Sequence, residues 1–239
     1  MILRHRILQI ILLVFSIITL NTSYADGILL INAPEVQKIK CKDSNEKLVD
    51  IRDYGRIKLD KKGKWHSDQY FMVRKTVAEK LENAAKSLPE NIIFLFKEGH
   101  RSLKKQKEIY DWYIEVLKER HPKKDSQEIA ILASEWVAKP ILNAPHSTGG
   151  AVDITLCDLD GNEIDMGSVV DDTSESGVER NKTNSNVISE KGKANRKILI
   201  KALSSQGFQN YPFEWWHWSY GDKYWAYHNK ANSFYCSVK

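Results

Sequence analysis

His146-Ser147-Thr148-Gly149-Gly150-Ala151-Val152-Asp153-Ile154-Thr155-Leu156 passes from loop to strand, and its reading decides the fold. Lys139–Gly150 is rich in Pro and Gly and reads as loop, and Ala151–Leu156 alternates into a strand. The paired glycines allow a backbone bend that turns both His146 and Asp153 inward. Downstream, Asp158–Asn162 reads as a tight turn and Glu163–Met166 as a return strand. A calcium loop is excluded there, because the glycine comes one ligand too early. Upstream, Val73, Val77, Leu81, Ala84 and Leu88 recur at helical steps and predict a helix over Tyr70–Leu88, stopped by Pro89. Ile92–Phe96 is a short apolar run and reads as a buried strand. Ser102–Arg120 and Ser126–Ala138 read as helices, the second capped by Asp125 or Ser126. Further on, residues 167–189 read as loop, Ser189–Gln206 as a helix ended by Gly207, and Phe213–Tyr220 as an aromatic last strand. Residues 26–68 are mixed, with short β-like pieces at Ile28–Ile31 and Leu48–Ile51. With no internal repeat and no long linker, this is one α+β domain.

Composition narrows the function. The 239 residues are 42% hydrophobic and 28% charged, with 12 Gly and 6 Pro, which excludes disordered, collagenous and rod-like classes. A net charge of +5 is spread along the chain without a basic block interleaved with aromatics, which argues against a nucleic-acid partner. Residues 1–25 read as a secretory signal peptide: Arg4 and Arg6 precede an apolar run over Ile7–Leu20, then Ser23-Tyr24-Ala25 offers small residues before a cut. The run is short for a permanent membrane span, so no stable insertion is expected after cleavage. An uncleaved anchor is the alternative, and either way the domain of residues 26–239 is exported, with the periplasm as the expected place. An oxidising compartment permits one bridge among the three cysteines. Cys41 and Cys236 lie near the two ends and could tie them together, and Cys157 reads as a buried small hydrophobe.

Of the seven histidines, His100, His146 and His217 lie in or beside segments that also hold carboxylates. His66, His121 and His228 sit among charged residues and read as solvated. His146 and Asp153 are followed much later by Glu214-Trp215-Trp216-His217. Two neutral imidazoles and one carboxylate give zinc three protein ligands and leave a fourth position for water. A second, unligated carboxylate can take a proton from that water and pass it to a leaving amine. Strand parity sends Glu214 and His217 to opposite faces, so they share a pocket only if the strand twists or bulges, or the pocket wraps its end. By spacing alone, a loop histidine and a turn-forming aspartate is the commoner reading.

His146-x-x-Gly149-x-Ala151-x-Asp153 followed by Glu214-x-x-His217-Trp218 resembles the signature pair of the zinc D,D-peptidases that share a fold with the Hedgehog signalling domain. Within that group the chain is most similar to D-alanyl-D-alanine dipeptidases of the VanX type. Asp153-Ile-Thr-Leu, Asp165-Met166-Gly167, Asn195-Arg196, Gly207-Phe208 and Gly99-His100-Arg101 add to the resemblance, which covers about residues 48–228. It implies a single domain with a central antiparallel sheet and flanking helices. It also implies zinc held by His146, Asp153 and His217, and Glu214 as general base and then general acid. Arg101 is then expected beside the developing oxyanion. Asp171 is expected to pair with the substrate's free ammonium, with adjacent Asp172 as the alternative. The substrate class implied is the small peptide D-Ala-D-Ala.

The chain departs from the family pattern at Ala144, where Ser is frequent, and at His100 and Ser102, where Tyr and Pro are usual. These touch substrate-end contacts and leave the hydrolytic core whole. Two rival readings remain: a D,D-carboxypeptidase acting on longer peptidoglycan stem peptides, and a non-catalytic zinc-containing wall-binding module. A free-amino clamp at Asp171 favours the dipeptidase over the first, and a general base at Glu214 argues against the second. Trp215, Trp216 and Trp218 read as core and pocket wall, Asn195 and Arg196 as braces of the late helix, and Lys104, Lys105 and Lys107 as a solvated face.

Overall fold

The computed structural model describes residues 24–25, 27–61, 66 and 68–238; the signal-peptide reading lies outside them except for Tyr24 and Ala25. The N-terminal part holds β1 (Tyr24–Ala25), β2 (Ile28–Leu29), α1 (Pro34–Gln37), β3 (Leu48–Asp50), β4 (Ile57–Leu59), β5 (Met72–Arg74) and α2 (Lys75–Ala85). Next come β6 (Ile92–Glu98), α3 (Leu103–Arg120), α4 (Ser126–Trp136) and β7 (Ala151–Asp158). The C-terminal part holds α5 (Glu175–Asn181), α6 (Glu190–Ser204), β8 (Gln209–Tyr211), β9 (Glu214–Ser219) and α7 (Lys223–His228). No helix among the described residues is long and apolar enough to cross a membrane.

The central sheet has five strands in the order β4-β6-β7-β9-β8. The expected antiparallel sheet is corrected at one edge, where β4 pairs parallel with β6 while the other pairs are antiparallel. Ile57–Leu59 reaches β6 by a long crossover through β5 and α2, and such a connection is what a parallel pair requires. Along β7, Val152, Ile154 and Leu156 point to one face, where they join Phe94 and Phe96 of β6, Leu81 of α2 and Leu199 and Leu203 of α6 in the main core. Each such fully buried side chain contributes about 1.5–3 kcal/mol. Period-2 geometry sends Asp153, Thr155 and Cys157 to the opposite face. Asp153 is thereby aimed away from the main core, toward the α3–α4 hairpin, whose own cluster includes Tyr113, Leu117, Ile129 and Ala133.

Three further sequence expectations are corrected. The helix expected from Tyr70 begins at Lys75, because Met72–Arg74 pairs antiparallel with Leu48–Asp50. Val73 is buried under either period, so its spacing cannot tell strand from helix. The return strand at Glu163–Met166 shrinks to a single bridge between Cys157 and Glu163, since Asp165 Oδ1 accepts from Gly167 N and turns the chain away. The segment 167–189 contains a helix, α5, capped by Ser174 accepting from Gly177 N. It is short and polar, and so carries little apolar period. Three of the expected helices follow their caps: Ser102 opens α3, Asp125 forms a capping box with Glu128 on α4, and Ser189 opens α6, whereas α1 and α7 were not anticipated.

Candidate active site

A single turn of 3-10 helix, Pro145–Thr148, carries His146. It closes on Gly149 at φ +70°, and a Cβ there would lie 2.4 Å from Leu48 Cδ2. A Cβ on Gly150 would lie 2.4 Å from the Tyr220 carbonyl oxygen, so only glycine lets the chain enter β7 here. His146 Nδ1 lies 2.8 Å from Gly99 O, which makes it the protonated nitrogen and turns the Nε2 lone pair to the pocket. Asp153 sits directly across from His217 in the β7–β9 ladder. His217 Nδ1 lies 3.0 Å from Asp153 Oδ1 and 3.2 Å from His146 Nε2, and Asp153 Oδ2 is 3.3 Å from His146 Nε2.

Glu214 and His217 share the pocket despite strand parity because β9 bulges away from β8. The register steps from Asn210 opposite Trp218 to Tyr211 opposite Glu214, so Trp215, Trp216 and His217 are extra on β9. Asn210 Nδ2 satisfies the carbonyls this exposes, donating to Glu214 O at 3.1 Å and His217 O at 3.0 Å. Glu214 Oε2 ends 3.9 Å from His217 Nδ1. A second irregularity, between Phe96 and Glu98 of β6, places Glu98 opposite Asp153. Glu98 then grips Arg101, whose Nε donates to Glu98 Oε1 at 2.9 Å and whose Nη2 also contacts Glu98 Oε2. Gln106 of α3 accepts from Arg101 Nη1 at 3.1 Å and donates to Ala138 O at 2.7 Å. Arg101 Nη2 lies 3.9 Å from Asp153 Oδ2. All six anticipated residues, His146, Asp153, His217, Glu214, Arg101 and Asp171, line one pocket, whose wall also includes Ile31, Gln106, Ser134, Trp136 and Tyr211.

The donor set fits a zinc ion. One ligand atom from each of His146, Asp153 and His217 falls within 4.8 Å of the others, and all three residues are buried. With His146 Nδ1 donating to Gly99 O, its Nε2 faces His217 Nδ1 at 3.2 Å, and two bare lone pairs at that distance need a proton or a cation between them. Two imidazoles and one carboxylate leave one tetrahedral position open.

Residues 58–237 match the model of the M15 peptidases described as D-ala-D-ala dipeptidase. The chain belongs to that family. Among curated relatives, it is 39% identical over 95 residues to a D-alanyl-D-alanine dipeptidase of Synechocystis sp., covering 37% of this chain and 38% of the relative. It is 39% identical over 79 residues to one of Enterococcus faecalis, covering 33% of this chain and 37% of the relative. The chain thus spans less than half the length of the curated relatives it matches. Its backbone is also similar to the LdcB LD-carboxypeptidase, with TM-score 0.43 and 21% identity over 87% of this chain and 89% of that one.

Electrostatics separate the acids of this dipeptidase-family site. Burial raises the Asp153 carboxyl, but the charges and hydrogen bonds of His146 and His217 outweigh it and hold the group far below the usual carboxylate range. Burial pushes Glu214 well above its ordinary value, and the negative charges of Asp153 and Asp171 push it further. Asp171 is exposed as a residue at the rim, at φ 59°, but its carboxyl faces the crowded pocket. Lost hydration there, with the charge of Asp153, raises it to about 7. Arg101 is desolvated, yet Glu98 more than compensates and keeps its guanidinium charged. Asp172 is already engaged: Oδ2 accepts from Arg180 Nη2 at 2.9 Å and Oδ1 from Ser174 Oγ at 2.6 Å. That leaves Asp171 as the neighbouring acid facing the pocket. Sequence reasoning missed Glu98 and Gln106, since their work is on Arg101 and only the bulge after Phe96 brings Glu98 to the site. The tryptophans of β9 are buried as expected, and Asn195 and Arg196 brace α6 against Asp165 O and Met166 O.

Proposed function

We propose that this chain is an exported zinc metallopeptidase that hydrolyses the D-Ala-D-Ala dipeptide to free D-alanine in cell-wall peptide turnover. The observation that carries the reading is one buried pocket in which His146, Asp153 and His217 converge while Glu214 stands 3.9 Å from His217 Nδ1 without being part of the cluster. Residues 1–25 serve as the signal peptide, and the periplasm is the working compartment.

His146 Nε2, His217 Nδ1 and Asp153 would hold the zinc. When bound, the ion supplies Lewis-acid charge that polarises a carbonyl and acidifies a water. Asp171 pairs with the free ammonium of the dipeptide and so positions the scissile amide against Glu214. The Glu214 carboxylate takes the proton of the attacking water as the new C–O bond forms. It returns that proton to the amide nitrogen as the C–N bond breaks, so water and dipeptide become two amino acids. Arg101, clamped by Glu98 and Gln106, faces the carbonyl oxygen as negative charge develops on it. Such a preorganised donor is worth about 10²–10³ in kcat.

A substrate panel tests the reading: D-Ala-D-Ala, L-Ala-L-Ala, N-acetyl-D-Ala-D-Ala and a stem pentapeptide, with free alanine followed. Cleavage of the free D,D-dipeptide alone is the expected result. Cleavage of the blocked and longer substrates would make the enzyme a D,D-carboxypeptidase, and zinc binding with silence across the panel would leave the wall-binding module.

A further inference from the structure

The active-site pocket does not end at Asp171. A second chamber shares Asp171, Glu214 and Trp136 with it and continues between α3 and α5. Trp112, Trp216 and Val178 give this chamber its apolar wall. Asn181, 1% exposed, also lines it. Its Nδ2 donates to Asp172 O at 2.8 Å, which fixes the amide's orientation. Oδ1 is left as a buried acceptor with no hydrogen-bond partner. An acceptor in that state is costly until a donor reaches it. A dipeptide with two methyl side chains supplies neither a donor nor enough apolar surface for the chamber.

We propose that this chamber is a specificity subsite for the side chain of the residue on the amino side of the scissile bond. The favoured side chain has a large apolar body and a hydrogen-bond donor at its tip. The inference rests on the dipeptidase reading, in which Asp171 holds the substrate's ammonium. Asp171 stands at the junction of the two spaces, so the carbon bearing that ammonium sits at the chamber's mouth. The amide then runs toward Glu214 and the metal ligands, and the side chain turns the other way, into the chamber. The apolar wall takes its body, and Asn181 Oδ1 takes its donor.

The test compares kcat/KM for D-Ala-D-Ala, D-Phe-D-Ala and D-Tyr-D-Ala on the zinc-loaded protein, wild type and Val178→Trp. Expected are values for both larger dipeptides at least equal to that for D-Ala-D-Ala, with D-Tyr-D-Ala several-fold above D-Phe-D-Ala. Val178→Trp, which narrows the chamber, lowers the ratio of D-Tyr-D-Ala to D-Ala-D-Ala by about ten-fold or more, the scale on which a hydrophobic pocket discriminates. The subsite is overturned if D-Ala-D-Ala is cleaved and both larger dipeptides fall ten-fold or more below it. It is equally overturned if Val178→Trp is folded and leaves the ratio unmoved. Equal values for D-Phe-D-Ala and D-Tyr-D-Ala overturn the role of Asn181. Loss of all three substrates, D-Ala-D-Ala included, overturns the dipeptidase reading itself and the subsite with it.

Discussion

Asp171 and Asp172 differ by one position, and their surroundings give them opposite work. Arg180 and Ser174 occupy Asp172, whereas Asp171 turns through φ 59° to face the pocket. No property of the dipeptide Asp-Asp distinguishes them, so the choice between them was not legible in the sequence. The Asp171 carboxyl, raised to about 7 by lost hydration and by Asp153, is neutral below that pH and charged above it. Only the charged form pairs with an ammonium. The expected result is that kcat/KM for D-Ala-D-Ala falls toward acid pH as Asp171 and Glu214 are neutralised, and that Asp171→Asn lowers kcat/KM about 10–100-fold, the range for a lost hydrogen bond to a charged group, while the limb set by Glu214 stays. A pH profile of both proteins checks it. The convergence of His146, Asp153 and His217 was legible only through the resemblance to the D,D-peptidase signature, since spacing alone favoured a loop histidine and a turn-forming aspartate; the glycine pair by itself marks a sharp entry into a strand. Glu98 was not legible, because its proximity to Asp153 comes from an inserted residue in β6.

The bulge in β9 is the element on which the proposed chemistry depends. An unbroken strand would put Glu214 and His217 on opposite faces, and local sequence gives no sign of the three extra residues. Asn210 holds the bulge by donating to the carbonyls of Glu214 and His217. Asn210→Ala leaves both acceptors without that donor at the edge of the pocket. The expected cost is about 1–3 kcal/mol of stability, read as a lower denaturation midpoint. The loss of kcat should exceed the loss of zinc affinity, since Glu214 moves with the bulge and His217 is still paired to β7. The boundary at Lys75 has a related cause: pairing of Met72–Arg74 with β3 overrides a helical spacing that Val73 also satisfies. Long periodic helices such as α3 and α6 were readable because caps and apolar spacing agreed.

Closure of the chain ends bears on the same site. Cys41 and Cys236 form a disulfide across a sequence separation of 195, one of the arrangements the cysteine count allowed. Beside it, Arg74 Nη2 donates to Cys236 O at 2.9 Å and Val238 N donates to Ser147 O at 2.8 Å, next to His146. A bridge closing so long a loop is worth about 5 kcal/mol in the chain-entropy model. Cys41→Ser with Cys236→Ser, or reduction of the wild type, should lower the melting temperature accordingly, as calorimetry would show. Cys157 should stay unmodified by thiol reagents in the folded protein, being fully buried with its thiol raised to about 11. A single α+β domain with its site on the face away from α2 and α6 was largely legible, since alternation along β7 alone assigns Asp153 to the side opposite Val152 and Ile154.

The most direct measurement is release of D-alanine from D-Ala-D-Ala by residues 26–239, as wild type and as Glu214→Gln, after chelation and again with one equivalent of zinc. The wild type should lose activity on chelation and recover it with zinc. Glu214→Gln should bind zinc as tightly and turn over about 10²–10⁴-fold more slowly. Undiminished turnover by Glu214→Gln, or a zinc-loaded wild type that releases no D-alanine, would contradict a metallopeptidase in which Glu214 moves the proton.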